Sequence, residues 1–501
     1  MNEDTQTIET PHFSMRQLRQ RGELPATKEG LAVELAMRVG DLLAGSGASA
    51  KDTVVMMRRI CQAYGLSRAQ IDVNYNVILA SYYPGEGLPP ITAIRTVSPI
   101  LPNLSKAYAV NDLVNQIQHG LTIGRATKRL DRIRKDRLPY PRWLAALAAG
   151  GISMSVQLFY TTAPVMLILA LITGVLINRF VYLLGTRGLP TLFQQIFGGW
   201  LIVLIATGFS WLNAHPALDF LGYISPTTIA VGCVFQLVAG ARFVAAIQDA
   251  IDGFYVTATA RILEVVMLTA GLVIGLVTGL DFARRLGLAV YISSDAPVVG
   301  WVPAQFFAAG LTALFWAVSR FANRRTIAVT LVVTLVGFAT RWLVLQIDVG
   351  PVVAAFAGPM VAALVATILV RRFWQIPTFG VINAMGVPFV PGLTLYLGLI
   401  QLVGSTLTDP DPSKGSATLG TAAAIALAVS AGASLGIFFG QPVSEKLMLI
   451  PRPWQQHRTT TETVRPARGR LRHVGPAAQP SPEVTTTGSG SQLRVSQGPS
   501  G

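Results

Sequence analysis

Between residues 143 and 440 the chain carries apolar segments of bilayer-spanning length, one after another, and this pattern restricts its fold more than any other feature. A hydrocarbon core about 30 Å thick takes about 20 residues of helix to cross. Ten segments qualify, at 143–160, 163–185, 190–212, 226–247, 255–280, 299–319, 326–347, 351–371, 379–403 and 417–440. In a chain of 501 residues that is 51% hydrophobic and only 13% charged, they exclude an ordinary water-soluble fold. The expected fold is a polytopic α-helical membrane protein with ten transmembrane helices.

The ends of the chain differ from its middle. The first residues are polar, with no short basic stretch followed by an apolar core, so no secretory signal is read there. Residues 1–30 are expected to be disordered and 31–142 to form a small cytoplasmic α+β domain ending in a basic juxtamembrane helix. Membrane halves at 143–280 and 299–445 flank an external loop at 281–298, and 446–501 form a disordered basic cytoplasmic tail rich in Pro, Ser, Thr, Gly and Arg.

The net charge of +15 does not point to nucleic acid, because aromatic residues are not interleaved with the basic ones. It reads as a topology signal. RATKRLDRIRKDRLPYPR, the turn with Arg187, SRFANRR, RRFW and the tail from Lys446 all fall on one side and are rich in Arg or Lys. NAHPALDFLGYIS, QIDVGP and GSTLTDPDPSKGSA fall on the other, with one lysine and several aspartates. Basic loops stay cytoplasmic, which places the protein in the inner (plasma) membrane with both termini inside. Arg284 and Arg285, in the central loop, run against the pattern.

One span, around VINAMGVPFVPGLTLY, holds Asn383, Gly386, Pro388, Pro391 and Gly392. A proline within a helix lacks a backbone N–H and displaces the carbonyl four residues back. In hydrocarbon the freed groups need protein, water or a ligand as partner, so this ninth span is expected to face the interior. The fourth span, QLVAGARFVAAIQDAIDG, aligns with it so that Ala239-Gly240 falls on Pro391-Gly392. Each is the fourth of five spans, and an odd number of spans inverts the second half relative to the first. Broken helices related by an inverted repeat are a recurrent plan for secondary transporters, with substrate held near the midplane.

Ionisable residues within spans mark ion or substrate routes, and the candidates are Arg242, Asp249, Arg261, Glu264 and Arg341. Arg242 and Asp249 are seven apart and share a helical face. Arg261 and Glu264 are three apart, a spacing that permits a local ion pair. Glu264 and Asp249 are the expected proton carriers, Asp249 and Asp252 being equally readable as a solvated inner loop. Arg341 sits near the outer end of its span, where snorkelling to the interface is the plainer reading. Gln236, Gln305 and Gln401 fit helix–helix hydrogen bonds.

In the N-terminal region, LAVELAMRVGDLLAG and KDTVVMMRRICQAYG have helical periodicity. IDVNYNVILASYY alternates at Ile71, Val73, Tyr75, Val77 and Leu79 as one half-buried strand would, and ITAIRTV is a second strand. LSKAYAVNDLVNQIQHGLTIGRATKRLDRIRK gives one or two helices. No metal spacing or nucleophile motif is present; GSGAS lacks the lysine of a phosphate loop and reads as a turn, and Cys61 reads as a buried structural thiol. Neither a cofactor nor a bound metal is expected.

GASAKDTVVMMRRICQAYGLSRAQIDVNYNVILAS, the basic helix before the first span, and GVPFVPG in the ninth resemble the threonine/serine exporter family, over about residues 40 to 445. The resemblance implies a ten-span carrier with a cytoplasmic N-terminal domain, exporting threonine and serine at the expense of the proton motive force. Where relatives carry Pro-Gly in the fourth span, this chain has Ala239-Gly240.

Together these readings give a secondary transporter, not an enzyme. Its expected substrate-binding residues are Gly240, Arg242, Asn383, Pro391 and Gly392, and its proton-coupling residues are Glu264 and Asp249. Its partners would be a small amino acid, protons and the lipid bilayer, with no nucleic acid; a homo-oligomer is compatible with the sequence. Two rivals stay open at this point: a membrane-anchored hydrolase whose soluble head acts on peptides, and a sensor or scaffold that regulates a membrane partner.

Overall fold

Fifteen residues into the described part of the chain, helical periodicity has already buried most of a helix. The computed structural model describes residues 27–85, 88–97, 103–136, 138–213, 224–238, 240–286, 300–369, 412–448 and isolated residues between 389 and 401. Met1–Leu449 form one compact unit. Helix α1 (Lys28–Gly45) starts where the Thr27 hydroxyl accepts the Gly30 N–H, and it buries Ala32, Leu35, Ala36, Met37 and Val39. Gly47, at φ +88°, turns the chain, and Ser49 caps α2 (Ala50–Ala63) by accepting the Asp52 N–H at 3.0 Å. The GSGAS glycine is thus a turn, as its sequence predicts.

The stretch expected as a single strand is a hairpin. Strands β1 (Gln70–Asn74) and β2 (Val77–Tyr82) pair antiparallel with Asn74 opposite Val77, and β3 (Ile91–Thr96) joins β2 to give the order β1-β2-β3. The turn places Tyr75 at φ +51°, a conformation uncommon for an aromatic residue. Crossing the turn changes which residues face inward, so Ile78 and Ala80 are buried rather than Val77 and Leu79. Helices α3 (Leu104–Gln118) and α4 (Ile123–Lys135) follow, separated at Gly120, φ +96°, and complete a core with α1 and α2.

The remaining helices are α5 (Arg142–Gln157), α6 (Pro164–Thr186), α7 (Thr191–Asn213), α8 (Pro226–Leu237), α9 (Gly240–Ile251), α10 (Tyr255–Arg285), α11 (Val302–Ser319), α12 (Arg324–Gln346), α13 (Pro351–Leu369) and α14 (Pro412–Met448). Among the described residues seven helices, α6, α7 and α10 to α14, are long and apolar enough to cross a membrane, and α8 with α9 makes an eighth, bent by 43°. The chain is a polytopic helical membrane protein. Ile168, Ile172 and Leu176 of α6 lie exposed on its outer surface, as side chains facing lipid do.

Several boundaries differ from expectation, one being the end of α14, which runs to Met448 and so past the expected start of the tail at 446. Helix α5 ends at Gln157, 16 residues long, and is buried along a run of Ala145, Ala146, Ala148, Ala149, Gly150 and Gly151. Helix α10 continues through Asp281 to Arg285, so the external loop expected from residue 281 starts later. Arg285 pairs with Asp281 one turn back at 2.8 Å, and both terminal arginines favour the helix C-terminus. Most of the ninth expected span, with Asn383, Pro388 and Gly392, lies outside the described residues.

Small residues set the helix packing. Gly271, Gly275 and Gly279 of α10 lie against α7: a Cβ on Gly271 would stand 2.7 Å from the Leu192 carbonyl oxygen, and one on Gly275 would collide with the Ile196 carbonyl. Gly432, Gly436 and Gly440 of α14 lie against α13 in the same way, meeting the Phe356 and Met360 carbonyls and the Thr367 side chain. Glycines four apart let two helix backbones approach closely within a membrane.

Candidate functional site

Two features of the membrane helices bear on function, at opposite ends of the bundle. The end of the bundle near the N-terminal α/β layer is marked by several contacts. Leu104 donates its N–H to the Arg320 carbonyl after α11, at 2.9 Å, and Tyr140, just before α5, donates its hydroxyl to the Val318 carbonyl at 2.6 Å.

At this end a chain of charged residues joins the layer to the broken helix. The Asp249 carboxylate near the end of α9 is fully buried; it pairs with Arg261 of α10 and accepts the Ala50 N–H, at the start of α2, at 3.2 Å. Lys51 donates to Asp252 at 2.6 Å. One turn further along α10, Glu264 accepts from Arg242 at 2.9 Å and from the Tyr75 hydroxyl at 3.4 Å. Burial and the Glu264 carboxylate push the Tyr75 phenol up, so the group remains a donor. The Thr257 hydroxyl accepts the Tyr75 N–H at 3.0 Å and donates to the Val73 carbonyl at 2.9 Å, which holds the left-handed turn against α10.

The local pair expected between Arg261 and Glu264 does not form. Arg261 reaches across to Asp249, and Glu264 takes Arg242, because the short turn at Asp252–Phe254, with Gly253 at φ +88°, folds α10 back along α9. Arg242 and Asp249, seven apart, do lie on the face of α9 turned to α10.

The second feature is a cavity of about 310 Å³ at the other end of the bundle, between α5, α8, α11, α12, α14 and the chain near Pro391. Six aromatic side chains line it, Phe159, Tyr160, Phe235, Phe338, Trp342 and Phe389, with the Phe306 ring packed behind, its centroid 5.0 Å from that of Phe338. Its polar groups are Gln305, Thr312, Thr394 and Arg341. The Arg341 Nε is buried and has no hydrogen-bond partner among the described residues. Its helix is held close to α13 by a glycine pair: a Cβ on Gly358 would stand 2.9 Å from the Gly337 carbonyl oxygen and 3.1 Å from the Arg341 Cβ. Pro359, inside α13, has no N–H to give the carbonyl of Ala355.

Of the expected substrate residues, Pro391 lines this cavity, Gly240 opens α9, and Arg242 stands at the other end; Asn383 and Gly392 lie outside the described residues. Glu264 and Asp249 are both in the charged chain, outside the cavity wall. The aromatic wall and Pro359 had no distinguishing signal in the sequence, since Phe, Trp and single prolines are common in membrane helices. Gln305 and Arg341 did have one, as polar residues within apolar spans. Among the described residues no group of His, Cys, Asp and Glu could hold a metal ion.

The chain matches the family model described as "Putative threonine/serine exporter" over residues 34–283, and a second, described as "Threonine/Serine exporter, ThrE", over residues 305–438. It is 31% identical over 425 residues to the "Threonine/serine exporter" of Corynebacterium glutamicum, an alignment covering 84% of each chain. It is 26% identical over 426 residues to the "Probable threonine/serine exporter" of Mycobacterium tuberculosis (strain ATCC 25618 / H37Rv), with 82% of this chain and 77% of the relative covered. Both relatives are named as exporters, not as enzymes. No solved structure matches the chain. Matched along both its N-terminal and C-terminal parts, the chain belongs to the threonine/serine exporter family.

Proposed function

We propose that this protein is a secondary transporter that exports threonine and serine, driven by the proton motive force, through ten spans arranged as two inverted five-span halves. The cavity of about 310 Å³ carries this reading. It lies at the lower end of the size range of small-molecule sites, roughly 300–1,000 Å³, and its walls come from spans on both sides of the expected midpoint.

Two kinds of observation favour the repeat. The last span of the first half, α10, packs through Gly271, Gly275 and Gly279 on the third, α7; the last span of the second half, α14, packs through Gly432, Gly436 and Gly440 on its third, α13. The two family matches also divide between α10 and α11, at residues 283 and 305.

In this reading the cavity opens to one side while the charged chain seals the other. For substrate to pass, Arg242 must leave Glu264 and Arg261 must leave Asp249. Protonation of either carboxylate removes the charge that holds its arginine, so Glu264 and Asp249 couple proton entry to opening. Gly240, Arg242, Asn383, Pro391 and Gly392 then line the route. The layer at residues 31–142 lies on the cytoplasmic side and, through Ala50, Lys51 and Tyr75, steadies the sealed state.

The coupling is tested by threonine efflux from preloaded proteoliposomes with and without an imposed proton gradient. Efflux should accelerate with the gradient in the wild type and lose that dependence in E264Q. Efflux indifferent to a collapsed gradient rejects the coupling.

A further inference from the structure

The cavity wall contains a cation that has no counter-ion among the described residues. Arg341 projects from α12 beside Phe338, Trp342 and Leu345. Among the described residues it has no hydrogen bond or ion pair, and its Nε is shut off from solvent. Elsewhere in the membrane helices Arg242 pairs with Glu264, Arg261 with Asp249 and Arg285 with Asp281, and Arg320 lies over the Trp316 ring at 4.3 Å. A guanidinium stays protonated at any physiological pH and offers five N–H donors in a planar fork. Keeping one unpaired in a membrane-embedded wall is unfavourable unless a ligand or water completes it.

From this geometry we propose that Arg341 is the carboxylate anchor of the cavity, binding the α-carboxylate of the transported amino acid through its guanidinium fork. The assignment rests on the exporter reading. A carboxylate matches the fork with two parallel hydrogen bonds, which fixes both the position and the plane of the ligand. The opposite end of a zwitterion has its own partners. Gln305 gives its amide N–H to the Gly300 carbonyl at 2.8 Å, which leaves its amide oxygen to accept from an ammonium, and the aromatic faces around it favour a cation. A cation in the wall together with a neutral acceptor suits a ligand that carries a carboxylate at one end and an ammonium at the other. Threonine and serine have this form; their amides and esters do not.

The test uses full-length protein in proteoliposomes, with counterflow of labelled threonine opposed by unlabelled threonine or threoninamide. In the wild type threoninamide should compete at least about 10-fold more weakly than threonine, the loss expected for one charged hydrogen-bonded contact. R341Q should raise the KM for threonine by about 10- to 100-fold and abolish the preference for threonine over threoninamide. R341K, which keeps the charge and loses the fork, should fall between, and it decides the matter if R341Q is not monodisperse in detergent. Equal competition by threoninamide in the wild type overturns the assignment, as does an R341Q protein with unchanged KM and unchanged preference; in both cases the exporter reading stands. A wild type that moves neither threonine nor serine overturns both.

Discussion

The Asp249 carboxylate accepts the backbone N–H of Ala50 at 3.2 Å, although 199 positions separate the two residues in the chain. The contact ties the first turn of an N-terminal helix to the end of a broken membrane helix. The same carboxylate pairs with Arg261, so removing it leaves two donors unanswered in a buried place. D249A should cost about 3–5 kcal/mol, as breaking a buried ion pair does. D249A with R261A should cost less than the sum of the two single changes, by at least about 0.5 kcal/mol. Thermal unfolding of the four proteins in detergent measures this cycle; strict additivity would mean that the two residues act independently.

Close helix approach at glycine predicts where side chains are tolerated. G275L and G436L should each destabilise the protein by at least about 1–3 kcal/mol, because the new side chain meets a neighbouring backbone carbonyl that cannot yield. G420A, at a position with open space around it, should leave the unfolding temperature within error. A size-exclusion thermal shift series separates the two groups.

The acid–base behaviour of the N-terminal layer has a defined sign. Burial raises the Asp52 carboxyl above its ordinary value, against the lowering effect of the Ser49 hydrogen bond, and burial raises Glu34 despite Arg95 at 2.8 Å. A carboxyl raised in the folded state binds its proton more tightly there than in the unfolded chain, whose Asp titrates near about 3.9. Its contribution is therefore fully present below that value and is lost as pH rises through the folded-state value. Relative to D52N, the wild type should lose stability across that interval and run parallel to it at higher pH. Paired unfolding curves from acidic to neutral pH check the trend; a wild type that gains on D52N as pH rises would reverse the sign.

Cys61 is fully buried in α2, and burial pushes its thiol up to about 11. It should resist maleimide at neutral pH in the native protein and react once the protein is unfolded. Intact-mass analysis before and after denaturation reads the difference, since the thiolate is the reactive species.

Much of this architecture is legible in residue order. Helices α6 and α7 fall within one residue of the apolar runs that predict them, because hydrocarbon thickness fixes how long such a run must be. The hairpin at Tyr75 was hidden because its two strands together mimic one alternating run, and only the left-handed turn breaks the parity. At the charged chain, sequence spacing names the participants and misses the partners. Arg261 and Glu264 are three apart on one helix, yet the turn between α9 and α10 brings Asp249 and Arg242 across to them. The cavity was less legible still. Gln305 and Arg341 were visible as exceptions in apolar spans, but that the Arg341 Nε is buried without a partner among the described residues is seen only in the packed helices.

An exporter of this family should move threonine and serine across a bilayer. Counterflow on purified, reconstituted protein tests it most directly: proteoliposomes loaded with unlabelled threonine or serine are diluted into labelled threonine, and internal label is followed with time. Label should accumulate transiently above the external level with either amino acid inside, and not in protein-free liposomes. Label that only equilibrates, at the same rate with and without protein, would contradict it.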